Sequence, residues 1–386
     1  MLFYLMSTLT LALMAVVTAD LQARFHFSAS ALGLLTSVFM FAYGAVGIPA
    51  GTMASRWGGR VLAFSCALFV AGSVLFALSS SYAGFLAGRI LQGLGGGMVL
   101  PASSPVMARY LAPEARTRGW GIFAAGKGLG ALTALAVMPG IEVLGGFRAV
   151  YLATAGLALI MGTVAFGQRA VRALPAEPLE SISLRATGRL LGEVTLNRNV
   201  WLLGLFNAAS LAVGTGVLIW TPDFLSAHYA SSADVAAYLT AGLAVAQLAG
   251  APAGAAVTKR VGRMPVIAGA MIAMTICTGV VPLVPGRALV FILVALVGFF
   301  SLAYFSPRFA VIPEVVSTLE HVGPAAGLIN LIGFGVSTLA PWLFGLVLDH
   351  ELGYPVGYLT LAAFGAAGVV GAAFFKVPSR SGRESA

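Results

Sequence analysis

Residues 49–60 read PAGTMASRWGGR, and residues 252–263 repeat that stretch as PAGAAVTKRVGR. The two copies share the Pro-Ala-Gly at their start and the Gly-Arg at their end, and they lie 203 positions apart. A stretch that returns after so long an interval indicates an internal duplication of the chain.

The same offset aligns residues far from the repeated stretch. Asp20 falls on Asp223, and Lys127 falls on Asn330. Further matches at this offset are Ser55 with Thr258, Arg56 with Lys259 and Gly130 with Gly333. The longest hydrophilic stretch lies between the two copies. We therefore predict an N-terminal bundle over 1–167, a cytoplasmic linker over 168–199, a C-terminal bundle over 200–375 and a cytoplasmic tail over 376–386.

The composition is that of a membrane protein. Of the 386 residues, 59% are hydrophobic and 9% are charged, whereas a soluble domain has about 25% charged residues. Crossing a bilayer takes about 20 apolar residues, and such stretches lie near 2–19, 30–52, 61–79, 82–108, 119–140, 148–167, 200–222, 233–257, 264–285, 287–306, 322–347 and 354–375. We predict an all-α membrane protein with twelve transmembrane helices in two pseudo-symmetric six-helix bundles. The first stretch is retained as helix 1, since no basic residue precedes it as in a signal peptide.

The basic residues indicate the orientation of the chain. With both termini in the cytoplasm, only Arg24, Arg148 and Arg287 fall outside, and Arg89 and Lys127 lie within helices. The other 17 of the 22 Lys and Arg residues, Arg308 among them, fall in cytoplasmic segments. Such a bias is the positive-inside rule. The net charge of +9 therefore indicates a multi-pass protein of the inner (plasma) membrane rather than a nucleic-acid partner.

Two motifs resemble those of the major facilitator superfamily, and the resemblance covers essentially the whole chain. The loop from Gly51 to Arg60 is similar to the family signature between helices 2 and 3, and Arg89-Ile-Leu-Gln92-Gly-Leu-Gly95 is similar to a second motif in helix 4. The resemblance implies a secondary transporter that works by alternating access, with its substrate site between the halves. It also implies a cytoplasmic gate motif formed by Gly51, Arg56, Gly58, Arg60, Gly254, Lys259, Gly262 and Arg263. Where the signature usually has Asp, this chain has Ser55 and its counterpart Thr258.

Charged residues within the helices are the first candidates for a substrate site. Lys127 and Arg89 are expected near mid-depth, where a charge costs about 2.5–3.5 kcal/mol on insertion scales. The neutral counterpart of Lys127, Asn330, favours a role in binding one small anion. The alternative is structural: Arg89 would bond to backbone carbonyls, and Lys127 would point into a wet cavity. Further polar candidates for the substrate pathway are Tyr43, Gln92, Asn207, Gln247 and Tyr304, each of which could instead bond to a neighbouring helix.

Asp20 and Asp223 are candidates for proton coupling, since they occupy matching positions near the outer ends of helices 1 and 7. The alternative for both is that they cap the next turn or face water. The sequence predicts neither an enzyme nor a bound cofactor or metal: the four histidines lie in or beside loops, and no phosphate-binding lysine loop is present. The expected partners are a small, anionic substrate, the lipid bilayer and a coupling proton, and we expect a monomer.

Three functions remain open from the sequence. The first is a carrier of small organic or inorganic anions, because Gly126-Lys127-Gly128-Leu-Gly130 also resembles the glycine-rich helix 5 of nitrate and nitrite carriers. Those carriers have Asn at the place of Lys127 and Arg at the place of Gly47. The second is a proton-driven exporter of drugs or lipophilic compounds, although such antiporters usually have Gly-Pro where this chain has Gly130-Ala131. The third is a non-transporting receptor built on a carrier fold.

Overall fold

The structure is a computed structural model, and it describes residues 1–57, 60–110, 113–167, 192–316 and 321–375. The first half contains α1a (Leu2–Ala12), α1b (Met14–Phe25), α2 (Ala29–Trp57), α3 (Arg60–Leu78), α4 (Tyr82–Tyr110), α5 (Pro113–Ala136) and α6 (Met138–Gly167). The second half contains α7 (Arg198–Tyr229), α8 (Ala233–Val261), α9 (Arg263–Val280), α10a (Arg287–Ala303), α10b (Phe305–Val315), α11a (Val322–Ser337), α11b (Leu339–Asp349) and α12 (Gly353–Ala373). A 3-10 turn, Val281–Leu283, follows α9.

Over these residues the segments combine into twelve helices, six in each half, when α1, α10 and α11 are each taken as one broken helix. Ten of the described helical segments are long and apolar enough to cross a membrane, and α5 and the broken α10 complete the set. The prediction of an all-α membrane protein with two six-helix bundles is confirmed. The predicted tail and the linker up to residue 191 lie outside the described residues, so the domain boundaries stay predictions.

The boundary between the fifth and sixth helices is set by two glycines. The α5 helix continues beyond Val137 into the first turns of α6, where Gly145 and Gly146 leave the helical conformation. Gly146 has a φ of +66°, in the left-handed region that side chains with a Cβ rarely adopt. The chain therefore turns at this point, and the remainder of α6 returns through the bundle.

The tenth helix is longer than the sequence predicted. The apolar run was expected to end near 306. Instead α10b continues to Val315. Pro307 is the third residue of α10b, within the first turn, where a proline is tolerated because the amide groups there have no partner within the helix. The placement of Arg308 in a cytoplasmic connection was therefore wrong.

The halves meet along three pairs of helices: α2 with α11, α5 with α8, and α1b with α7. We call the end of the bundle at which residues 168–191 connect the halves the linker end. The opposite end, which carries residues 26–28, 230–232 and 350–352, is called the distal end. The seam between the halves contains most of the candidate residues, because α2, α5, α7, α8 and α11 all border it.

Candidate functional site

Lys127 lies on α5 where that helix passes between two neighbours. A Cβ on Gly126 would lie 2.7 Å from the carbonyl oxygen of Met1, and a Cβ on Gly128 would lie 2.5 Å from a methyl group of Leu248 on α8. Both positions are tighter than a side chain accepts, so the glycines let α5 approach α1a and the second half closely. Lys127, between them, is partly buried at the interface of the halves.

Arg308 supplies a second cation from the other half. Its side chain is 1% exposed, and its guanidinium carbon lies 5.4 Å from the ring centroid of Tyr304 and 5.3 Å from that of Phe305. The positive charges of Arg308 and Lys127 act on each other. The structure therefore brings together one cation from each half, and only Lys127 was recognised from the sequence.

Three tyrosines lie in the neighbourhood of Arg308. Tyr4 interacts electrostatically with Tyr43, Tyr304 and Arg308, so all four residues share one neighbourhood. The ring of Tyr4 stacks on Phe123 at 4.7 Å between centroids. Tyr43 crosses the seam, since its ring lies 4.4 Å from that of Phe334 on α11a. The phenol groups of Tyr4 and Tyr43 can donate hydrogen bonds to an anion.

Tyr4 was missed by the sequence analysis, although a signal was present. The 203-residue offset places Tyr4 on Asn207, which was already a candidate. Tyr4 and Lys127 both interact electrostatically with Arg308, and Asn207 and Asn330 bond to each other. Two symmetry-related pairs, each with a tyrosine or lysine in the first half and an asparagine in the second, therefore lie on helices that border the seam.

The asparagines belong to a hydrogen-bonded network in the second half. The Tyr304 hydroxyl donates to Oδ1 of Asn207 at 3.1 Å. Nδ2 of Asn207 donates to the carbonyl of Ile329 at 3.3 Å and to Oδ1 of Asn330 at 3.4 Å. This network fixes the amide of Asn207 against α11a, while Asn330 remains partly exposed.

Arg89 and Gln92 are arranged as the structural alternative predicts. Arg89 is fully buried and donates to the carbonyls of Leu35 at 3.1 Å and Thr10 at 2.8 Å, and to Gln92 at 3.1 Å. Gln92 donates in turn to Ser73 at 3.0 Å. These bonds join α4 to α1a, α2 and α3. Contact of Arg89 or Gln92 with a substrate stays a prediction.

Gln247 also bonds to a neighbouring helix. Its Nε2 donates to the hydroxyl of Ser301 at 3.3 Å, and that of Ser210 donates to the carbonyl of Ser301 at 2.9 Å. Three helices, α7, α8 and α10a, therefore meet at Ser301. The side chain of Gln247 is buried there, and a direct role in transport stays a prediction.

The two matching aspartates brace helices at the distal end. Asp20 accepts a hydrogen bond from the backbone N–H of Phe147 at 2.7 Å and pairs with Arg24. It thereby caps the part of α6 that follows the turn at Gly146. Asp223 accepts a hydrogen bond from the Tyr354 hydroxyl at 2.6 Å. The contact of Asp20 with Phe147 fits the capping alternative, whereas Asp223 bonds to a side chain of α12, and proton coupling stays a prediction for both.

More residues of the gate motif have described side chains in the second copy than in the first. Arg263 pairs with Glu314 of α10b, Gly254 packs against the backbone of Ala303, and Gly262 has a φ of +89°. Lys259 is exposed at the end of α8. In the first copy Arg60 is exposed, Gly51 and Arg56 belong to α2, and Gly58 lies outside the described residues. A gating role for these residues stays a prediction.

Comparisons with known proteins agree with this architecture. A family model described as Major Facilitator Superfamily matches residues 1–231 and, in a second match, residues 204–386. The overlapping matches correspond to the two halves of the repeat.

Two known relatives have names that state different functions. The Methylenomycin A resistance protein of Bacillus subtilis (strain 168) is 29% identical over 197 residues, which are 50% of this chain and 41% of that protein. The Probable anion transporter 4, chloroplastic, of Arabidopsis thaliana is 33% identical over 136 residues, which are 34% of this chain and 26% of that protein. Each match spans less than half of the relative's own length.

Solved structures are similar over nearly the whole chain. A bacterial homologue of the human lysosomal transporter Spinster, crystallised in an inward-facing and occupied conformation, has a TM-score of 0.76 at 17% identity, covering 97% of this chain and 94% of that one. A D-xylose-proton symporter has a TM-score of 0.74 at 18% identity, covering 98% and 96%. Likeness at such low identity establishes the fold and leaves the substrate open.

Proposed function

Because this chain belongs to the Major Facilitator Superfamily, we propose that it is a secondary active transporter that carries a small anion across the membrane by alternating access. The observation that carries the proposal is the pair Lys127 and Arg308, one cation from each half, whose positive charges act on each other. An anion between them would be attracted to both halves at once. It would also relieve the repulsion between the two cations.

Coulomb's law gives a scale for this attraction. One unit charge on the anion and one on a cation 4 Å away attract each other by about 4 kcal/mol at an effective dielectric of about 20, before the cost of desolvation.

The neutral groups around the cations support the same proposal. The phenols of Tyr4 and Tyr43 and the amide of Asn330 are all partly exposed. They would complete the hydrogen bonds of an oxyanion or carboxylate. We propose that Lys127 and Asn330 bind the anion from equivalent positions of the two halves.

The distribution of basic residues indicates how the protein is oriented in the membrane. We propose that the linker end and both termini face the cytoplasm, with the protein in the inner (plasma) membrane. The contacts of α2 with α11b at the distal end would then close the outer side, and the substrate would reach the site from the linker end. A proton gradient is the proposed driving force, with Asp20 and Asp223 as candidate coupling groups.

Export of a drug or other lipophilic compound is the second candidate. The observation in its favour is the similarity to the Methylenomycin A resistance protein over half of this chain. The aromatic rings of Tyr4, Phe123 and Tyr43 could also contact an apolar compound. Drug export would not require both cations. Variants of Lys127 and Arg308 therefore distinguish export from anion transport.

Transport by the purified protein in proteoliposomes tests the proposal. Radiolabelled phosphate and succinate serve as anions, and ethidium serves as a cationic drug. We expect uptake of an anion that is lost in Lys127→Gln and in Arg308→Gln. Arg287→Gln is the matched control, because it removes the same charge from an exposed position of the same broken helix. Ethidium transport that persists in both variants without any anion uptake would favour export instead.

A further inference from the structure

A carboxylate of one half caps a helix of the other half at the distal end. Oδ1 of Asp349, the last residue of α11b, accepts a hydrogen bond from the backbone N–H of Ala29 at 2.7 Å. Oδ2 accepts one from the N–H of Ser30 at 2.9 Å. Both donors belong to the first turn of α2. The contact joins residues 320 positions apart, across the boundary between the two halves.

The first turn of a helix favours such an acceptor for two reasons. Its N–H groups have no partner within the helix, and the helix dipole places partial positive charge there. The Ser28 hydroxyl accepts a hydrogen bond from Ala31 at 3.2 Å, so α2 is capped partly by its own half and partly by Asp349. Separation of the halves at this end would leave two N–H groups of α2 without their present acceptor.

The seam behind Asp349 is packed backbone to backbone. A Cβ on Gly33 would collide with the carbonyl of Pro341, and a Cβ on Gly345 would collide with the carbonyl of Ala29. The Ser37 hydroxyl donates to the carbonyl of Thr338, and its side chain is 1% exposed. The seam therefore has many close contacts, and the carboxylate lies at its distal limit.

The repeat does not contain this contact a second time. Position 146, which lies 203 residues before Asp349, is a glycine. The corresponding seam between α5 and α8 thus lacks the equivalent carboxylate. The cap belongs to the α2–α11 seam and to the state in which the distal end is closed.

We propose that Asp349 is a gating residue of the transport cycle: by capping α2 it stabilises the distally closed state, and its bonds to Ala29 and Ser30 break when that end opens. The inference needs only the two-half architecture and does not depend on what is transported. Loss of a helix cap shifts such an equilibrium by about fivefold to tenfold. Removal of the carboxylate should raise the population of the distally open state by that factor.

Cysteine reactivity in the purified full-length chain tests this proposal without a substrate. Ser37→Cys places a thiol in the closed seam, and its rate of reaction with a maleimide reports how often α2 and α11b separate. The buried native Cys66, which donates to the carbonyl of Ala158, reports general loosening of the first half. Mass spectrometry of the labelled peptides separates the two rates.

In this background, Asp349→Ala should accelerate labelling at position 37 by about fivefold to tenfold and leave Cys66 unchanged. Asp349→Asn, whose amide oxygen can still accept one of the two hydrogen bonds, should accelerate it less. Glu351→Gln, which removes an exposed negative charge two residues away, should change neither rate. The proposal is overturned if both Asp349 variants label position 37 at the parent rate. Equal acceleration at Cys66, or equal acceleration in Glu351→Gln, overturns it as well. Failure of anion transport would leave this result untouched.

Discussion

Gly333 of α11a lies against the side-chain amide of Asn207 on α7, with no space for a Cβ between them. The hydrogen bonds of Asn207 to Ile329 and Asn330 depend on this close approach. The neighbouring Gly335 is different, because a Cβ there would meet nothing within 4 Å. Substitutions of Gly333 and Gly335 therefore form a matched comparison, because the two glycines lie on one helix and only Gly333 lacks space for a Cβ.

We expect Gly333→Ala to destabilise the protein by about 1–3 kcal/mol, the usual cost of forcing a methyl group into a packed contact. Gly335→Ala should be neutral or slightly stabilising, since alanine is the better helix former and has room. The apparent unfolding temperature in detergent measures both. Equal unfolding temperatures for the two variants would show that Asn207 does not need the space at Gly333.

Tyr304 offers a second test of the same network. Tyr304→Phe removes the donor to Oδ1 of Asn207 and keeps the ring beside Arg308. Hydrogen bonds between membrane helices contribute about 0.6–1.7 kcal/mol, so stability should fall by an amount in that range. If the network also positions Asn330 for the substrate, the apparent affinity for the transported anion should fall too. Thermal unfolding and the half-saturating anion concentration separate the two effects, and unchanged values of both would contradict the network.

The fold could be predicted because hydropathy and one constant offset reported the same twelve helices. The candidate site was harder to predict from the sequence. Arg308 was assigned to a connection because hydropathy does not distinguish an arginine that faces another helix from one in water. Lys127 was found because its apolar surroundings are unbroken on both sides. Tyr4, near the start of a run, had only its counterpart Asn207 to indicate it.

The contacts of Asp349 could not be predicted from the sequence for a different reason. They join the ends of two helices that are 320 positions apart, and no repeat partner draws attention to them. Their existence depends on how the halves are tilted against each other. A sequence pattern describes each half and says little about that angle.

The orientation can be tested by topology reporters. A reporter fused after Ala386 should be active only if it functions in the cytoplasm, because both termini are expected on the side that carries most basic residues. A reporter inserted after Ser231, at the distal end, should show the opposite behaviour. A fusion after Ala386 that is active only in the periplasm would reverse the proposed direction of every helix.

The sharpest prediction concerns Lys127. If it supplies positive charge to an anion, Lys127→Gln and Lys127→Ala should abolish anion uptake in protein that still inserts and folds. Losing even half of an attraction of about 4 kcal/mol weakens binding by more than tenfold. Lys127→Arg keeps the charge and should keep partial activity if the site accepts a larger, planar donor.

Asn330→Ala is the control from the equivalent position of the other half. It removes a hydrogen-bonding group and no charge, so it should lower anion affinity less than Lys127→Gln does. Arg308→Gln should resemble Lys127→Gln, because the charge of Arg308 acts on Lys127 and the proposal assigns both cations to the same anion. Uptake rates over a range of anion concentrations, together with thermal unfolding of each variant, distinguish lost binding from lost folding. Wild-type rate and affinity in Lys127→Gln would make the lysine structural. The anion proposal would then lose its main support to drug export.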